Sequence, residues 1–119
     1  MRSERPRVLI FAQDTCSTCR KEHKNLVARF KANNANSPSN VEFITVLVGT
    51  FKADAVDWQN DLQVNWRVGI DSGILFQNYC AEELFPCLLI ETPAAGIVFQ
   101  HTGAVELAKI EAETGTWVY

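Results

Sequence analysis

The pattern of hydrophobic and polar positions along the chain predicts alternating strands and helices. Short runs of consecutive apolar residues, such as Val8–Ala12, are typical of buried strands. Stretches with apolar residues at helical spacing, such as Cys19–Phe30, are typical of amphipathic helices. The predicted strands are 7–12, 41–48, 64–70, 87–91 and 97–101, and the predicted helices are 17–32, 53–62, 72–79 and 104–113. This order predicts an α/β domain with a mixed central sheet flanked by helices.

Turn-forming residues mark the breaks between these elements. The polar segment 33–40, rich in Asn and Ser, separates the first helix from the second strand. Asp71 and Ser72 are typical of the cap that begins a helix. Thr92–Gly96 has the length and the chemistry of a hairpin turn, so we expect the last two strands to pair antiparallel.

Composition and charge narrow the class of protein. The chain has 119 residues, of which 47% are hydrophobic, and no apolar stretch long enough to cross a membrane. We expect one soluble, monomeric domain spanning 1–119, with residues 1–6 flexible and residues 7–113 forming the core fold. The net charge is −3 and the basic residues are scattered, which argues against nucleic acid or an anionic membrane surface as a partner.

The candidate chemistry is concentrated in Cys16-Ser17-Thr18-Cys19, which lies between the first predicted strand and the first predicted helix. Cysteines three positions apart in a first helical turn lie on one face, close enough to form or break a disulfide with little backbone movement. The N-terminus of a helix also stabilises the thiolate, which is the nucleophilic form. This arrangement predicts a redox-active dithiol.

Together, the element order, the CxxC after the first strand and the proline that opens the hairpin resemble the thioredoxin fold. In detail they resemble its TlpA-like branch of thiol:disulfide oxidoreductases. The resemblance extends over residues 7–113. The segments that carry it are Cys16–His23, Val41–Val48, Phe85–Ile90 and Gly96–Gly103.

The resemblance implies a thiol:disulfide oxidoreductase that exchanges disulfides with protein substrates and a redox-partner protein, and that uses no bound cofactor or metal. Cys16 would be the exposed attacking thiol, and Cys19 the buried resolving thiol. Pro86 would follow a cis peptide bond, so that the backbone of Phe85 holds an extended substrate segment opposite the CxxC.

Glu22 is the candidate for proton handling at the buried thiol, because it resembles a glutamate of the TlpA-like branch. Thioredoxin itself carries a buried acid on the strand before its CxxC, where this chain has Ile10. The other interpretation of Glu22 is a surface residue paired with a neighbouring Lys or Arg. His23 is interpreted as a histidine at the edge of the core rather than as a base.

Two departures from the family pattern affect the expected redox behaviour. Thr15 stands where the family usually has a Trp beside the first cysteine. Ser17 and Thr18 replace the usual proline-containing dipeptide, and their hydroxyls can stabilise the reduced form. We therefore expect a mild reductant.

Cys80 and Cys87 are possible accessory thiols with three interpretations. They are two free, buried thiols, which is the preferred interpretation, or they form a disulfide, or they bind a metal. Cys87 takes the place of the Thr that usually follows the cis-proline. The resemblance therefore implies that its thiol lies near Cys16, as a third thiol of the active site.

The sequence allows more than one prediction for the function and for the compartment. The main alternative function is a thioredoxin-fold binding or adaptor domain whose cysteines are structural or metal-binding. The resemblance implies an extracytoplasmic protein, periplasmic or tethered by an N-terminal anchor that precedes this sequence. A cytoplasmic protein is expected if Met1 is the native start, because residues 1–7 are charged and no secretion signal follows them.

Overall fold

The computed structural model describes residues 5–119. Residues 1–4, which belong to the segment 1–6 that is expected to be flexible, lie outside this range. Within it, strands and helices alternate in the predicted order. The strands are β1 (Arg7–Ala12), β2 (Glu42–Val48), β3 (Arg67–Asp71), β4 (Cys87–Thr92) and β5 (Gly96–Thr102). The helices are α1 (Ser17–Ala32), α2 (Lys52–Leu62), α3 (Ile74–Tyr79) and α4 (Leu107–Thr114).

The five strands form one mixed sheet in the order β3-β2-β1-β4-β5. β1, β2 and β3 are parallel to one another, β4 is antiparallel to β1, and β5 is antiparallel to β4. The predicted α/β sandwich with a mixed sheet and a C-terminal hairpin is therefore confirmed.

The three central strands, β1, β2 and β4, are buried on both faces because their side chains alternate between two apolar clusters, whereas the edge strands β3 and β5 are more exposed. Val8, Ile10 and Ala12 of β1 belong to the larger cluster, which includes residues of α1, α2 and α4. Phe11 belongs to a smaller cluster, which includes Phe76 of α3. Continuous apolar runs in the sequence are the pattern that such two-sided burial requires.

Two elements, β3 and α4, begin three residues later than the sequence predicts, in each case where other groups bind the local backbone. β3 begins at Arg67 rather than at 64, and the Gln59 side chain donates to the carbonyl oxygens of Val64 and Trp66, at 3.1 and 3.4 Å. α4 begins at Leu107 rather than at 104, because residues 103–105 bind the region of the CxxC, as described below.

The core extends beyond the predicted limit at residue 113. Trp117 is only 5% exposed and belongs to the larger cluster. Its ring packs edge-on against those of Phe30 and Phe43, at centroid distances of 5.6 and 5.7 Å. None of the helices in residues 5–119 is sufficiently long and apolar to span a bilayer.

Candidate active site

The sheet register brings three loops together at one end of the sheet. Phe11, near the end of β1, pairs with Cys87 at the start of β4, and Cys87 pairs with Thr102 at the end of β5. The loop before α1, the segment before β4 and the segment after β5 therefore meet at this end. They contain, respectively, Cys16, Phe85–Pro86 and 103–105.

Cys16 and Cys19 form a disulfide across the first turn of α1, with a Cα–Cα distance of 5.2 Å. Cys16 has extended backbone dihedral angles and occupies the N-cap of the helix, where its Sγ accepts a hydrogen bond from the Cys19 backbone N–H at 3.1 Å. Cys16 is half-buried, whereas Cys19 is fully buried. Cys16 is thus the more accessible residue of the pair, and Cys19 is protected by the core.

Glu22 lies one turn beyond Cys19 and is only 4% exposed, so it is not the surface residue of the alternative interpretation. Its Oε2 accepts a hydrogen bond from the Val105 backbone N–H at 2.8 Å, while Oε1 is buried without a hydrogen-bond partner. Desolvation raises the pKa of Glu22 to about 7, against the opposing effect of the Val105 hydrogen bond. Glu22 can therefore gain or lose a proton near neutral pH.

The peptide bond between Phe85 and Pro86 is cis. Pro86 is buried, and Phe85 is half-buried and packs against both apolar clusters. The Pro86 carbonyl oxygen accepts a hydrogen bond from the Gly103 N–H at 2.7 Å. Together with the Val105–Glu22 hydrogen bond, this contact makes the segment 103–105 a bridge between the cis-proline segment and α1.

His23 is fully buried and forms a polar chain with Thr45 and Trp66. Its Nδ1 lies 2.8 Å from the Cys19 carbonyl oxygen, which can only accept, so Nδ1 carries the proton. Nε2 then accepts from the Thr45 hydroxyl at 2.9 Å, and that hydroxyl accepts from the Trp66 indole N–H at 2.9 Å. Burial lowers the pKa of His23 to about 4, so the ring is neutral at physiological pH.

The structure pairs Cys80 with Cys87 in a second disulfide, with a Cα–Cα distance of 6.4 Å. The preferred interpretation, two free buried thiols, is therefore wrong for this state of the chain. The sequence pattern did not show that the end of α3 lies beside the start of β4. Among residues 5–119 there is no group of three or more His, Cys, Asp or Glu side chains that could hold a metal ion.

Cys87 is also not a third thiol beside Cys16. It belongs to the smaller apolar cluster with Phe76 and Cys80, whereas Cys19 belongs to the larger cluster and Cys16 packs against it. The alternation of side chains along β4 explains the difference, because Cys87 and Leu88 point to opposite faces of the sheet.

The sequence pattern did not indicate the residues that act through backbone N–H groups, or those whose side chains form hydrogen bonds to other buried side chains near the site. Gly103 and Val105 contribute N–H groups, which leave no trace in side-chain chemistry. Thr45 lies in an apolar strand as a single polar residue that is fully buried. A buried strand threonine requires a hydrogen-bond partner, and this was the one signal available in the sequence.

Comparison with known proteins gives matches among solved structures. No family model matches the sequence, and no curated protein matches it. StoA from Bacillus subtilis superposes with a TM-score of 0.75 at 18% identity, over 96% of this chain and 85% of that one. MTB dsbF, in its mixed oxidized and reduced forms, gives a TM-score of 0.76 at 18% identity, over 93% and 79%.

A secreted Mycobacterium tuberculosis disulfide oxidoreductase homologous to E. coli DsbE also has a similar fold. Its TM-score is 0.69 at 18% identity, over 94% of this chain and 81% of that one. The five-stranded mixed sheet, the helices that flank it and these superpositions agree. This chain has the thioredoxin fold, which it shares with these solved structures.

Proposed function

We propose that this protein is a thiol:disulfide oxidoreductase of TlpA-like type that reduces disulfides of protein partners with the Cys16–Cys19 dithiol. The observation that carries the proposal is the asymmetry of this pair. Cys16 is partly exposed at the N-cap of α1, and Cys19 is fully buried in the first turn of the helix. A structural disulfide has no need of one accessible sulfur, whereas exchange with a partner requires it.

The reaction proceeds in two exchanges that conserve electrons. In the reduced protein the Cys16 thiolate attacks one sulfur of the partner disulfide, which forms a mixed disulfide and releases one partner thiolate. Cys19, deprotonated, then attacks the Cys16 sulfur and releases the second partner thiolate. The partner gains two electrons and two protons, and the Cys16–Cys19 disulfide seen here is the product. A dithiol reductant, such as a reduced redox-partner protein, regenerates the reduced form.

Glu22 supplies the proton acceptor for the second exchange. The Cys19 thiol is buried, so water cannot take its proton directly. A carboxylate with a pKa of about 7, located one helical turn away, can accept that proton and later release it to solvent. Its Oε1, which has no partner in the protein, is the oxygen available for this step.

The proposed partners are proteins, which bind at the end of the sheet that contains Cys16. The three most exposed large hydrophobic side chains in residues 5–119 are Phe51, Ile74 and Leu84, at 79, 67 and 57%. All three follow or precede strand ends at this same end of the sheet. The backbone of Phe85, before the cis peptide bond, is the proposed edge against which an extended segment of the partner lies.

We propose an extracytoplasmic location, where disulfides persist. Two disulfides in 119 residues support it. The related Mycobacterium tuberculosis oxidoreductase is described as secreted.

The proposal is tested by the reduction of insulin disulfides in the presence of dithiothreitol, followed by turbidity. We expect the wild-type chain to accelerate the reaction and Cys16→Ser to abolish the acceleration. Cys19→Ser is expected to trap a mixed disulfide with the substrate through Cys16, detectable by mass spectrometry. An inactive wild type that binds partner proteins regardless of its redox state would instead support the adaptor alternative.

A further inference from the structure

We propose that the Cys80–Cys87 disulfide does not exchange electrons but holds the Phe85–Pro86 segment in position, and so sets how tightly the protein binds an extended protein substrate. The inference rests on the proposed function, since it concerns the substrate side of the same site. It assigns different roles to the two disulfides of one chain. Cys16–Cys19 reacts with the substrate, and Cys80–Cys87 positions the segment that binds the substrate.

The position of the second disulfide supports this role. Cys87 directly follows Pro86 and begins β4, while Cys80 directly follows α3 as its C-cap. The bond therefore closes the short loop that contains the substrate-binding segment. Residues 81–84 of that loop are all exposed, so the core does not hold them.

The remaining contacts of the loop are few and lie near its ends. The Glu83 N–H donates to the Cys80 carbonyl oxygen at 3.0 Å, and the Pro86 carbonyl oxygen accepts from Gly103 at 2.7 Å. The ring of Phe85 stacks on that of Phe76, with centroids 4.5 Å apart. A covalent bond between the two ends restricts the exposed residues 81–84, which the core does not hold, and so reduces the ordering that substrate binding must impose on the loop.

The burial of the two sulfurs argues against exchange with a partner. Cys80 and Cys87 are 1% and 0% exposed, in an apolar cluster with Phe11 and Phe76. An attacking thiolate must approach a disulfide sulfur directly, and the apolar side chains around Cys80 and Cys87 block that approach. Cys16, by contrast, is half-buried at a helix N-terminus.

The test compares a protein substrate with a small one. The double variant Cys80→Ala/Cys87→Ala removes the bond, and Val46→Ala, in the same cluster, is the matched control for the lost core volume. The substrates are insulin and the small aromatic disulfide dithiobisnitrobenzoate, which does not need an extended binding segment. In the double variant we expect the KM for insulin to rise about fivefold to tenfold relative to the KM for the small disulfide. In Val46→Ala this ratio stays at the wild-type value.

The outcomes separate the two proposals. A wild type that reduces neither disulfide contradicts the proposed function itself. An active wild type whose insulin-to-small-disulfide KM ratio is the same in the double variant overturns the positioning role alone.

A second measurement on the wild type applies even if the double variant does not fold. Native protein is equilibrated with dithiothreitol, quenched with acid and alkylated under denaturing conditions, so that buried thiols are also counted, and the number of added groups is read by mass. We expect two groups per chain, on Cys16 and Cys19, and four only when the protein is denatured before dithiothreitol is added. Four groups on the native protein, at dithiothreitol concentrations that just reduce Cys16–Cys19, would make Cys80–Cys87 a second redox pair and overturn the proposal.

Discussion

Glu22 and His23 are neighbours in α1, and burial favours the neutral form of both. For the acid this raises the pKa to about 7, and for the base it lowers the pKa to about 4. Their environments nevertheless differ in hydrogen bonding. His23 has a partner at each ring nitrogen, whereas Glu22 has one at Oε2 only. The fully satisfied residue is suited to a structural role, and the partly satisfied one to proton transfer.

The hydroxyl of Thr45 is the central link of the polar chain beneath the CxxC, and its removal is a direct test of that chain. Thr45→Val keeps the shape of the side chain but leaves His23 Nε2 and the Trp66 indole N–H buried without partners. Each buried unpaired group costs about 1–3 kcal/mol, so for these two groups we expect the free energy of unfolding to fall by about 2–6 kcal/mol. Urea denaturation of the oxidised protein measures the loss.

Thr50→Val is the matched control for this substitution. Thr50 is also buried, but its hydroxyl forms only long hydrogen bonds, of 3.3 Å to Asp14 and 3.4 Å to the Val48 carbonyl oxygen. We expect it to cost about 1 kcal/mol or less. Equal losses in the two variants would show that the chain from Trp66 to the Cys19 carbonyl contributes nothing specific.

At the scale of elements, the two helices near the site begin in different ways. α1 begins at a cysteine whose sulfur takes the place of the usual cap oxygen, so the capping group is also the proposed nucleophile. α3 is a short helix, and the carboxylate of Asp71 accepts from the N–H groups of Leu75 and Phe76, at 3.3 and 3.1 Å. The N-cap of α3 is Gly73 rather than Asp71 or Ser72, but the Asp71 carboxylate supplies the acceptors for the first turn.

The short length of α3 makes this cap important, because a helix of so few turns has little intrinsic stability. Asp71→Ala removes both acceptors, and we expect it to lower the free energy of unfolding by about 1–2 kcal/mol. Hydrogen exchange at the Leu75 and Phe76 amides should accelerate in parallel. The adjacent exposed Ser72 provides the control, since Ser72→Ala should leave both measurements at their wild-type values. A loss of stability without faster exchange in α3 would contradict the capping explanation.

At the scale of the whole molecule, Glu22 and His23 give opposite pH dependences to stability. The folded protein binds a proton at Glu22 more tightly than the unfolded chain does, so stability falls as pH rises from 4.5 to about 7. The folded protein binds a proton at His23 less tightly, so stability rises as pH rises from about 4 to 6.5. Between 4.5 and 6.5 the two slopes oppose each other, and their sum is small.

Glu22→Gln should expose the contribution of His23. The variant lacks the carboxyl group whose ionisation lowers the stability of the wild type as pH rises. Its unfolding free energy should therefore rise relative to that of the wild type by about 3 kcal/mol between pH 4.5 and 7. The comparison uses the change of the unfolding free energy with pH rather than its value at one pH. The reason is that the new amide N–H₂ at the unpaired position adds a pH-independent cost. Parallel profiles of the two proteins, measured by urea denaturation across this range, would contradict the raised pKa of Glu22.

Much of the architecture was accessible from the sequence because local patterns determine it. Apolar runs bounded by turn residues located every strand, and β1 and α1 have the predicted limits. The position of the CxxC at the start of α1 follows directly from those limits. Element ends differ where long-range hydrogen bonds bind the local backbone, as Glu22 does at Val105 before α4.

The sequence by itself determined the order of the elements, the mixed sheet and the dithiol, since each depends on the spacing of residues near one another in the chain. Only the tertiary structure decided which groups share an environment. It buried Glu22, joined His23 to Thr45 and Trp66, and paired Cys80 with Cys87 on the sheet face opposite Cys19. The physical reason is that burial and pairing depend on register and on the face to which a side chain points, and one position along a strand reverses that face.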